Sequence, residues 1–362
     1  MKTYDNLYAR LTDFDNLYLA FRSAARGKHN DPAVVAFEYE LEHNLLQLER
    51  ELQDHAYRPG AYYSFYIRDP KHRLVSAAPF RDRVVHHALC AIVEPIFERT
   101  FIPDSYANRV RKGTHRALDR AQSFAQRYRF VLQGDLCQFF PSVDQMTLRD
   151  ILFRKIADVD VRWLMEQIIQ SGAGVLDHEY TLVLFPGDDL FAANRPRGLP
   201  IGNLTSQFWA NVYLNELDQF VKRQLRCSAY LRYVDDFLLF SNDKRQLWEW
   251  KDALCDFLDG LRVTLHERES TVYPVENGIP FLGFCVYPYH RRLRRRNGVA
   301  FARRFKAWTE QVTAGEMTLE ELHPRVRGWI AHVEHGNTWG LRRSLLSARL
   351  LLPRRVAAQA TG

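Results

Sequence analysis

Residues 230–240 read YLRYVDDFLLF and place Asp235 and Asp236 side by side in an otherwise apolar, strand-forming run. Burying an unpaired carboxylate is costly, and two adjacent carboxylates also repel each other. A hairpin turn would present both acids at one point, where a divalent cation could compensate their charge. A solvent-exposed turn is the other interpretation, because Asp is a common turn residue. The run therefore predicts a hairpin with two acids at its turn.

A third acid lies earlier in the chain in a comparable setting. Residues 130–142 read FVLQGDLCQFFPS, which places Asp135 at the end of a predicted buried strand. Acids on neighbouring strands of one sheet can converge, and three carboxylates that hold two Mg²⁺ ions commonly serve in-line phosphoryl transfer. Asp135, Asp235 and Asp236 are therefore the candidate catalytic and metal-binding residues.

Composition and charge indicate a folded protein with a polyanionic partner. Hydrophobic residues make up 46% of the 362 residues, enough for a sizeable core shared by two or three sub-domains. The net charge is +7, but from Arg291 onward the chain has 15 basic and 5 acidic residues, a net of +10, which leaves −3 for the first 290. This basic segment is typical of a phosphate-contacting surface or of a solvated basic helix.

The sequence lacks the features of zinc-binding, secreted, membrane-spanning and nucleotide-binding Rossmann or P-loop proteins. The five cysteines are scattered without zinc-type spacing, which fits reduced thiols. The N-terminus is polar, unlike a signal peptide, and no apolar run reaches the ~18 residues of a membrane span. Rossmann and P-loop glycine motifs are also absent from the sequence. We therefore expect a cytoplasmic protein with no membrane association.

Hydrophobic periodicity predicts alternating helices and short strands. Helices are predicted at 34–52 with Asp31 before its start, 84–97 ending near Pro95, 114–124, 143–170 in two pieces, 203–225 and 247–261. Strands are predicted at 128–136, 181–185, 230–240, 263–265, 271–273 and 279–287. Because the strands are short and hairpin signals recur, an α+β fold with a small antiparallel sheet is favoured over a doubly wound parallel one. His86 and His87 lie in an apolar helix, and we expect them to be structural.

Six motifs in unbroken order resemble those of the reverse transcriptase family. They are RDRVVHHAL at 81–89, SYANR at 105–109 with KGTH at 112–115, the acid strand at 130–142, GLPIGNLTSQ at 198–207, YVDD at 233–236 and FLGF at 281–284. The resemblance covers residues 70–290. It implies a right-hand polymerase fold, with an N-terminal helical extension and fingers at 1–70, fingers at 71–134, a palm at 135–290 with a fingers insertion at 145–200, and a basic helical thumb and tail at 291–362.

One motif resembles a narrower group. Residues 201–207 read IGNLTSQ, where most reverse transcriptases have QGxxxSP, and the variant is similar to that of diversity-generating retroelements. This resemblance implies copying of a template-repeat RNA into cDNA, with frequent errors at adenines, for mutagenic retrohoming. It also implies a small basic accessory protein that forms a ring. Beside the nascent base pair, the Ile201 side chain can contribute only its shape, whereas glutamine could also form a hydrogen bond. The loss of that bond should weaken discrimination between nucleotides.

The family resemblance also implies roles for individual residues. The cofactor would be two Mg²⁺ ions, with Mn²⁺ as a substitute, bound by the three acids together with Leu136. The dNTP-binding candidates are Arg73, Arg83, Phe139, Phe140, Ile201, Gly202 and Gln207. The candidates for contact with the primer and template RNA, or with the RNA/DNA duplex, are Tyr233, Gly283, Arg294, Arg295 and Arg296. Phe140 corresponds to an aromatic that excludes a ribose 2′-hydroxyl, and Phe139 is the stronger candidate for core packing.

Two alternatives stay open. The chain could be another bacterial reverse transcriptase of the retron or group II intron type, although the Ser206-Gln207 pair is unlike a retron and no endonuclease-like motif follows the thumb. It could also be a non-catalytic nucleic-acid-binding relative. A further departure from the family is that residues 265–271, LHEREST, lack the usual lysine after the palm hairpin.

Overall fold

The computed structural model of the protein describes residues 2–67, 72–189 and 191–347. The proposed boundary between residues 70 and 71 and the tail at 348–362 therefore lie outside the described residues. The described part is mainly helical with three small sheets, which confirms the α+β class. No helix in the described ranges combines the length and the apolar character needed to cross a bilayer.

The helices and strands alternate along the chain, and the segment between Ser171 and Leu204 holds only two short 3₁₀ turns among its described residues. The helices are α1 (Tyr8–Thr12), α2 (Phe14–Ala25), α3 (Pro32–Tyr39), α4 (Leu41–Gln53), α5 (Phe80–Glu98), α6 (Thr114–Ala125), α7 (Phe139–Ser142), α8 (Gln145–Phe153), α9 (Val159–Ser171), α10 (Leu204–Arg223), α11 (Lys244–Gly260), α12 (Arg295–Ala314), α13 (Leu319–Val333) and α14 (Trp339–Ser347). The strands are β1 (Tyr63–Ile67), β2 (Arg73–Ala77), β3 (Phe130–Gly134), β4 (Tyr230–Tyr233), β5 (Asp236–Ser241), β6 (Thr271–Pro274), β7 (Ile279–Phe281), β8 (Phe284–Val286) and β9 (Arg291–Leu293).

The strands form three sheets of two, four and three strands. Their orders are β1-β2, β4-β5-β3-β6 and β7-β8-β9. The β1–β2, β4–β5, β7–β8 and β8–β9 pairs are antiparallel, and the β4–β5 hairpin was predicted at residues 230–240. In the four-stranded sheet β5 lies between β4 and β3, so the hairpin of residues 230–241 and the acid strand are neighbours.

The chain divides into two compact units. Of the described residues, the first unit contains those within Met1–Gly113, Leu132–Leu239 and Lys244–Val272, and the second contains those within Thr114–Val131, Phe240–Asp243 and Tyr273–Gly362. In the first unit, α5 and α10 supply much of the core, including the fully buried Val84, Leu89 and Leu214. In the second unit, Phe301 stacks on Trp329 with ring centroids 3.7 Å apart, which packs α12 against α13.

Helix capping explains several helix starts that the sequence pattern indicated. The Asp31 carboxylate accepts a hydrogen bond from the Ala33 N–H, and Pro32 occupies the first turn of α3. Asp144 and Asp158 cap α8 and α9 in the same way, which accounts for the two helical pieces predicted at 143–170. The predicted helix at 34–52 is instead two helices, because α3 ends at Tyr39 and α4 begins at Leu41.

Four local predictions were wrong. The predicted strand at 263–265 is not formed, because Leu265 makes only an isolated bridge with Leu136. Helix α5 continues through Pro95 to Glu98, although Pro95 has no backbone N–H to donate to the carbonyl four residues earlier. Residues 181–185 form no strand, and the segment is bounded by two short 3₁₀ turns at Asp177–Glu179 and Ala192–Asn194. The predicted strand at 279–287 is a tight hairpin, because Leu282 and Gly283 adopt φ values of 45° and 88° between β7 and β8.

Candidate active site

The β4–β5 hairpin carries Asp235 and Asp236 at its turn. Tyr233 pairs with Asp236, so Val234 and Asp235 form a two-residue loop. Val234 has a φ of 55°, a left-handed conformation that is strained for a β-branched residue. Both aspartates are half-buried, whereas the strand residues on either side of the loop are mostly buried. The turn therefore presents the two carboxylates at the rim of the sheet, and Tyr233 lies beside them.

Asp135 lies at the end of the neighbouring strand. It directly follows β3, which is adjacent to β5. A Cβ atom at Gly134 would overlap with the ring of Phe237, so Gly134 lies directly against the residue that follows Asp236. The three acids that are far apart in the chain are therefore carried by adjoining ends of neighbouring strands.

The backbone around Asp135 is fixed by the segment that leads to β6. The His266 N–H donates a hydrogen bond of 2.8 Å to the Asp135 carbonyl, and the Asp135 N–H donates one of 3.4 Å to Ser270 Oγ. Leu136 forms an antiparallel bridge with Leu265 and is 2% exposed. These contacts hold the acid at the strand end from the side opposite to β5.

A buried ion pair lies beneath the hairpin. Arg232 is fully buried, and its Nε and Nη2 donate hydrogen bonds of 2.8 and 2.7 Å to the two carboxylate oxygens of Asp218 on α10. The Tyr230 hydroxyl donates one of 2.7 Å to the same carboxylate. Burial alone lowers the pKa of Arg232, but the Asp218 charge outweighs it and the pKa is raised. Arg232 therefore remains charged in the interior of the protein.

The loop before α10 is hydrogen-bonded to β2. The Ser76 N–H donates to the Ile201 carbonyl at 2.7 Å, and a Cβ at Gly202, whose φ is 118°, would lie 2.9 Å from Val75 Cγ1. The buried Asn203 side chain donates to the Ser76 carbonyl at 2.8 Å and accepts from the Ala78 N–H at 3.0 Å. Ile201 and Gly202 are therefore held against β2.

The other predicted dNTP-binding residues are distributed around this junction. Arg83 Nε donates a hydrogen bond of 2.8 Å to the Ala78 carbonyl, where β2 leads into α5. Arg73, at the start of β2, and Gln207, in the first turn of α10, are both exposed. The structure thus gathers Arg83, Ile201 and Gly202 around the end of β2, and places Arg73 at the other end of that strand.

The two phenylalanines after Asp135 have different environments. Phe139 is 2% exposed and contacts Tyr213 with ring centroids 6.3 Å apart, so its ring belongs to the core and is not available to a nucleotide. Phe140 is half-buried, and its carbonyl accepts a hydrogen bond of 2.8 Å from the Leu199 N–H, two residues before Ile201. Of the two rings, Phe140 therefore stays the candidate for contact with the sugar.

Of the predicted primer-side residues, Gly283 and Arg294–Arg296 lie in the second unit, whereas Tyr233 belongs to the first. Gly283 lies in the β7–β8 turn, and its carbonyl accepts a hydrogen bond of 3.0 Å from the Arg294 N–H and one of 3.1 Å from Asn297 Nδ2. Arg295 and Arg296 are exposed in the first turn of α12. Three arginines at a helix N-terminus lie next to the positive end of the helix dipole, which is unfavourable for them. A bound anion would offset this positive charge. The sequence also predicts that Trp339 packs in the helical core of the thumb, but Trp339 is 66% exposed.

Comparison with known proteins identifies the family. The model of the reverse transcriptase (RNA-dependent DNA polymerase) family matches residues 68–286. The chain belongs to the reverse transcriptase family. The right-hand polymerase fold predicted from the motif order is thereby confirmed, and the matched region is an RNA-directed DNA polymerase domain.

Individual relatives of this reverse transcriptase are distant. Protein YkfC of Escherichia coli is 27% identical over 290 residues, which cover 69% of this chain and 71% of YkfC. The group II intron-encoded protein LtrA of Lactococcus lactis is 26% identical over 211 residues, which cover 58% of this chain but only 32% of LtrA. A solved structure of apo telomerase from Candida tropicalis superposes with a TM-score of 0.47 at 11% identity and covers 67% of this chain and 58% of that chain.

The carboxylates of this reverse transcriptase have the donor chemistry of a magnesium site. Mg²⁺ prefers oxygen ligands and is commonly bound through one or two carboxylates plus substrate phosphates. Within the described ranges, no three His, Cys, Asp or Glu side chains are grouped closely enough to hold an ion. The donor set therefore fits the metal, whereas the side-chain positions do not by themselves define a metal centre.

Two groups of the reverse transcriptase were not singled out from the sequence. One is Asn203, whose amide connects the loop before α10 to β2; the other is the Arg232–Asp218 pair. A signal for the second was present, because a lone arginine within a buried, apolar strand needs an acidic partner. The sequence could not show which of many acids this partner would be.

Proposed function

We propose that this reverse transcriptase copies an RNA template into cDNA from dNTPs, with Asp135, Asp235 and Asp236 as the catalytic carboxylates that hold two Mg²⁺ ions. The contact between Gly134 and Phe237 supports this assignment, because it brings the strand end that carries Asp135 to the turn that carries the other two. When bound, the ions lower the pKa of the primer 3′-hydroxyl and offset the charge of the triphosphate. Mn²⁺ would serve as a substitute.

The protein's own residues would position the substrates. Arg73 and Arg83 are proposed to contact the triphosphate, since arginine makes paired hydrogen bonds to phosphate oxygens. Ile201, Gly202 and Gln207 would face the nascent base pair, and Phe140 would exclude a ribose 2′-hydroxyl. Tyr233, Gly283 and Arg294–Arg296 would contact the primer, the template or the product duplex.

Primer extension on an RNA template tests the catalytic assignment. Asp135→Asn and Asp235→Asn should each reduce the rate by roughly a thousandfold or more, as expected for residues that act together at a reaction centre. The matched control is Asp150→Asn, because Asp150 is an exposed carboxylate of the same unit that pairs with the adjacent Arg149. A folded Asp235→Asn variant that extends primers at the wild-type rate would refute the assignment, and a wild-type protein with no incorporation would favour the non-catalytic relative.

We further propose that the enzyme is error-prone at template adenines and serves mutagenic retrohoming from a template-repeat RNA. The support is the IGNLTSQ motif at 201–207, in which Ile201 lacks the polar groups of glutamine. Loss of interactions that tighten only with the correct pair reduces discrimination. Sequencing of cDNA made on a template of balanced composition should show errors concentrated at adenines, and Ile201→Gln should reduce them. Errors spread evenly over the four bases would contradict the proposal.

A group II intron type of activity is the second candidate. It is favoured by the similarity to LtrA, described as a group II intron-encoded protein. That activity predicts selective binding of a structured intron RNA and no excess of errors at adenines. Retroelement activity predicts instead that the enzyme binds a small basic accessory protein. The family resemblance implies that this protein forms a ring. Binding measured against both partners separates the two candidates.

A further inference from the structure

Arg232 occupies an unusual place for a charged residue. It lies on β4 of the four-stranded sheet, directly before Tyr233, and is fully buried together with Asp218. Beyond the two bonds to Asp218, its Nη1 donates a hydrogen bond of 3.3 Å to Asn211 Oδ1. Asn211 is itself anchored, since its Nδ2 donates one of 2.9 Å to the Ala107 carbonyl. The guanidinium is therefore fixed by two residues of α10.

The same guanidinium reaches the hairpin turn. Its Nη1 also donates a hydrogen bond of 3.0 Å to the carbonyl of Val234, the turn residue with a φ of 55°. A β-branched residue keeps a left-handed conformation only where its surroundings impose it. The peptide that follows Val234 leads directly into Asp235, so a bond to the Val234 carbonyl fixes the plane of that peptide.

We infer that Arg232 is a positioning residue, held by Asp218 and Asn211, that sets the Val234–Asp235 peptide and thereby the placement of the catalytic carboxylates. The inference rests on the proposed catalytic role of Asp235 and Asp236. It assigns to the buried pair a function in metal-dependent catalysis in addition to packing.

The geometry requires arginine rather than any cation. Its planar fork offers Nε and Nη2 to both oxygens of Asp218 while Nη1 points at the turn. A lysine could keep the charge pair with Asp218, but a single ammonium cannot span the carboxylate, the Asn211 amide and the Val234 carbonyl in this arrangement.

The backbone of β4 has its own support, which separates positioning from folding. The Arg232 N–H donates a hydrogen bond of 3.0 Å to the Asp104 carbonyl, and the Arg232 carbonyl accepts one of 3.0 Å from the Tyr106 N–H. Pairing of Tyr230 with Leu239 and Leu231 with Leu238 continues the strand. Replacing the Arg232 side chain should therefore leave β4 in place and remove mainly the hydrogen bond that holds the Val234 carbonyl in the turn.

Primer extension by Arg232→Lys over a range of Mg²⁺ concentrations tests the inference. Residues that orient metal ligands typically contribute a factor of about 10 to 100 in metal affinity or activity. We expect kcat to fall by about that factor and the Mg²⁺ concentration for half-maximal rate to rise, with a smaller change in KM for dNTP. The matched control is Tyr230→Phe, which removes a hydrogen bond to the same Asp218 carboxylate without touching the turn and should leave the Mg²⁺ response unchanged.

The outcomes distinguish this inference from the proposed function. If Asp235→Asn is inactive and folded Arg232→Lys shows the wild-type kcat and Mg²⁺ response, the catalytic assignment stands and the positioning role is overturned. If Asp235→Asn is active, the proposed function fails whatever Arg232→Lys does. Should Arg232→Lys not fold, the paired variant Arg232→Met/Asp218→Leu removes both buried charges together, a change that buried ion pairs often tolerate. A wild-type Mg²⁺ response in that folded variant would also overturn the inference.

Discussion

Gly134 lies so close to the ring of Phe237 that no side chain fits between the two residues. Each is next to an acid in the sequence, Gly134 before Asp135 and Phe237 after Asp236. The spacing between the two strand ends, and hence between the carboxylates, therefore depends on the absence of a Cβ atom at position 134. A glycine here serves close approach of two strands.

Gly134→Ala should consequently impair catalysis. The added methyl group would force β3 and β5 apart or displace the Phe237 ring, and overpacking of this kind typically costs about 1–3 kcal/mol. We expect a large loss of primer-extension rate with a moderate fall in the melting temperature. The double variant Gly134→Ala/Phe237→Leu makes room for the methyl group and should recover part of the rate. Wild-type activity in Gly134→Ala would mean that the strand spacing does not set the site.

A second prediction concerns the sugar of the incoming nucleotide. Phe140→Ala should increase incorporation of rNTPs relative to dNTPs, because the half-buried ring at this position would no longer exclude a 2′-hydroxyl. The adjacent Phe139→Ala provides the contrast, since loss of a buried phenylalanine costs about 3–5 kcal/mol of stability without altering sugar choice. Competition between rNTP and dNTP in single-nucleotide extension measures both. Unchanged sugar preference in Phe140→Ala would contradict the assignment.

A third prediction concerns the basic start of α12. Replacing the exposed Arg295 and Arg296 with Ala should weaken binding of an RNA/DNA duplex. The slope of log K against log salt should also become shallower, by about one for each phosphate that the variant no longer neutralises. Arg245→Ala is the control, because Arg245 is an exposed arginine on α11 that pairs with Glu249. Titrations at several salt concentrations give the slopes. Equal slopes for the double variant and the wild type would place the duplex elsewhere.

The sequence predicted these features to different degrees, for physical reasons. Local patterns located the hairpin at 230–241 and the cap at Asp31, because alternation and capping depend on neighbouring residues. They failed where tertiary contacts decide, as at Pro95 within α5 and at the hairpin turn of Leu282 and Gly283. The predicted strand end and hairpin indicated that Asp135 could lie near the β4–β5 turn, but the pattern alone could not show that β3 and β5 are neighbours. The partnership of Arg232 with Asp218 required the structure, since the two residues are 14 positions apart and lie on different elements, β4 and α10.

The last prediction concerns stability at low pH. His86 is 1% exposed on α5, and within the described residues its Nδ1 has no hydrogen-bond partner. Burial, together with the nearby His87 and Arg83, lowers its pKa from 6.5 to about 3. The unfolded chain therefore takes up a proton below pH 6.5 that the folded protein does not accept, so this histidine lowers stability progressively as the pH falls from 6.5 toward 3.

His86→Leu removes that proton-linked loss. Between pH 6.5 and pH 4.5 the wild type should lose up to about 1.4 kcal/mol per pH unit from this group, and the variant should lose correspondingly less. Near pH 7.5, where the histidine is neutral in both states, the variant should be at least as stable, because it no longer buries an unsatisfied ring nitrogen. Urea unfolding at pH 7.5, 6.0 and 5.0 gives the comparison. Parallel stability curves for the two proteins would show that His86 takes up its proton in the folded state as readily as in the unfolded chain.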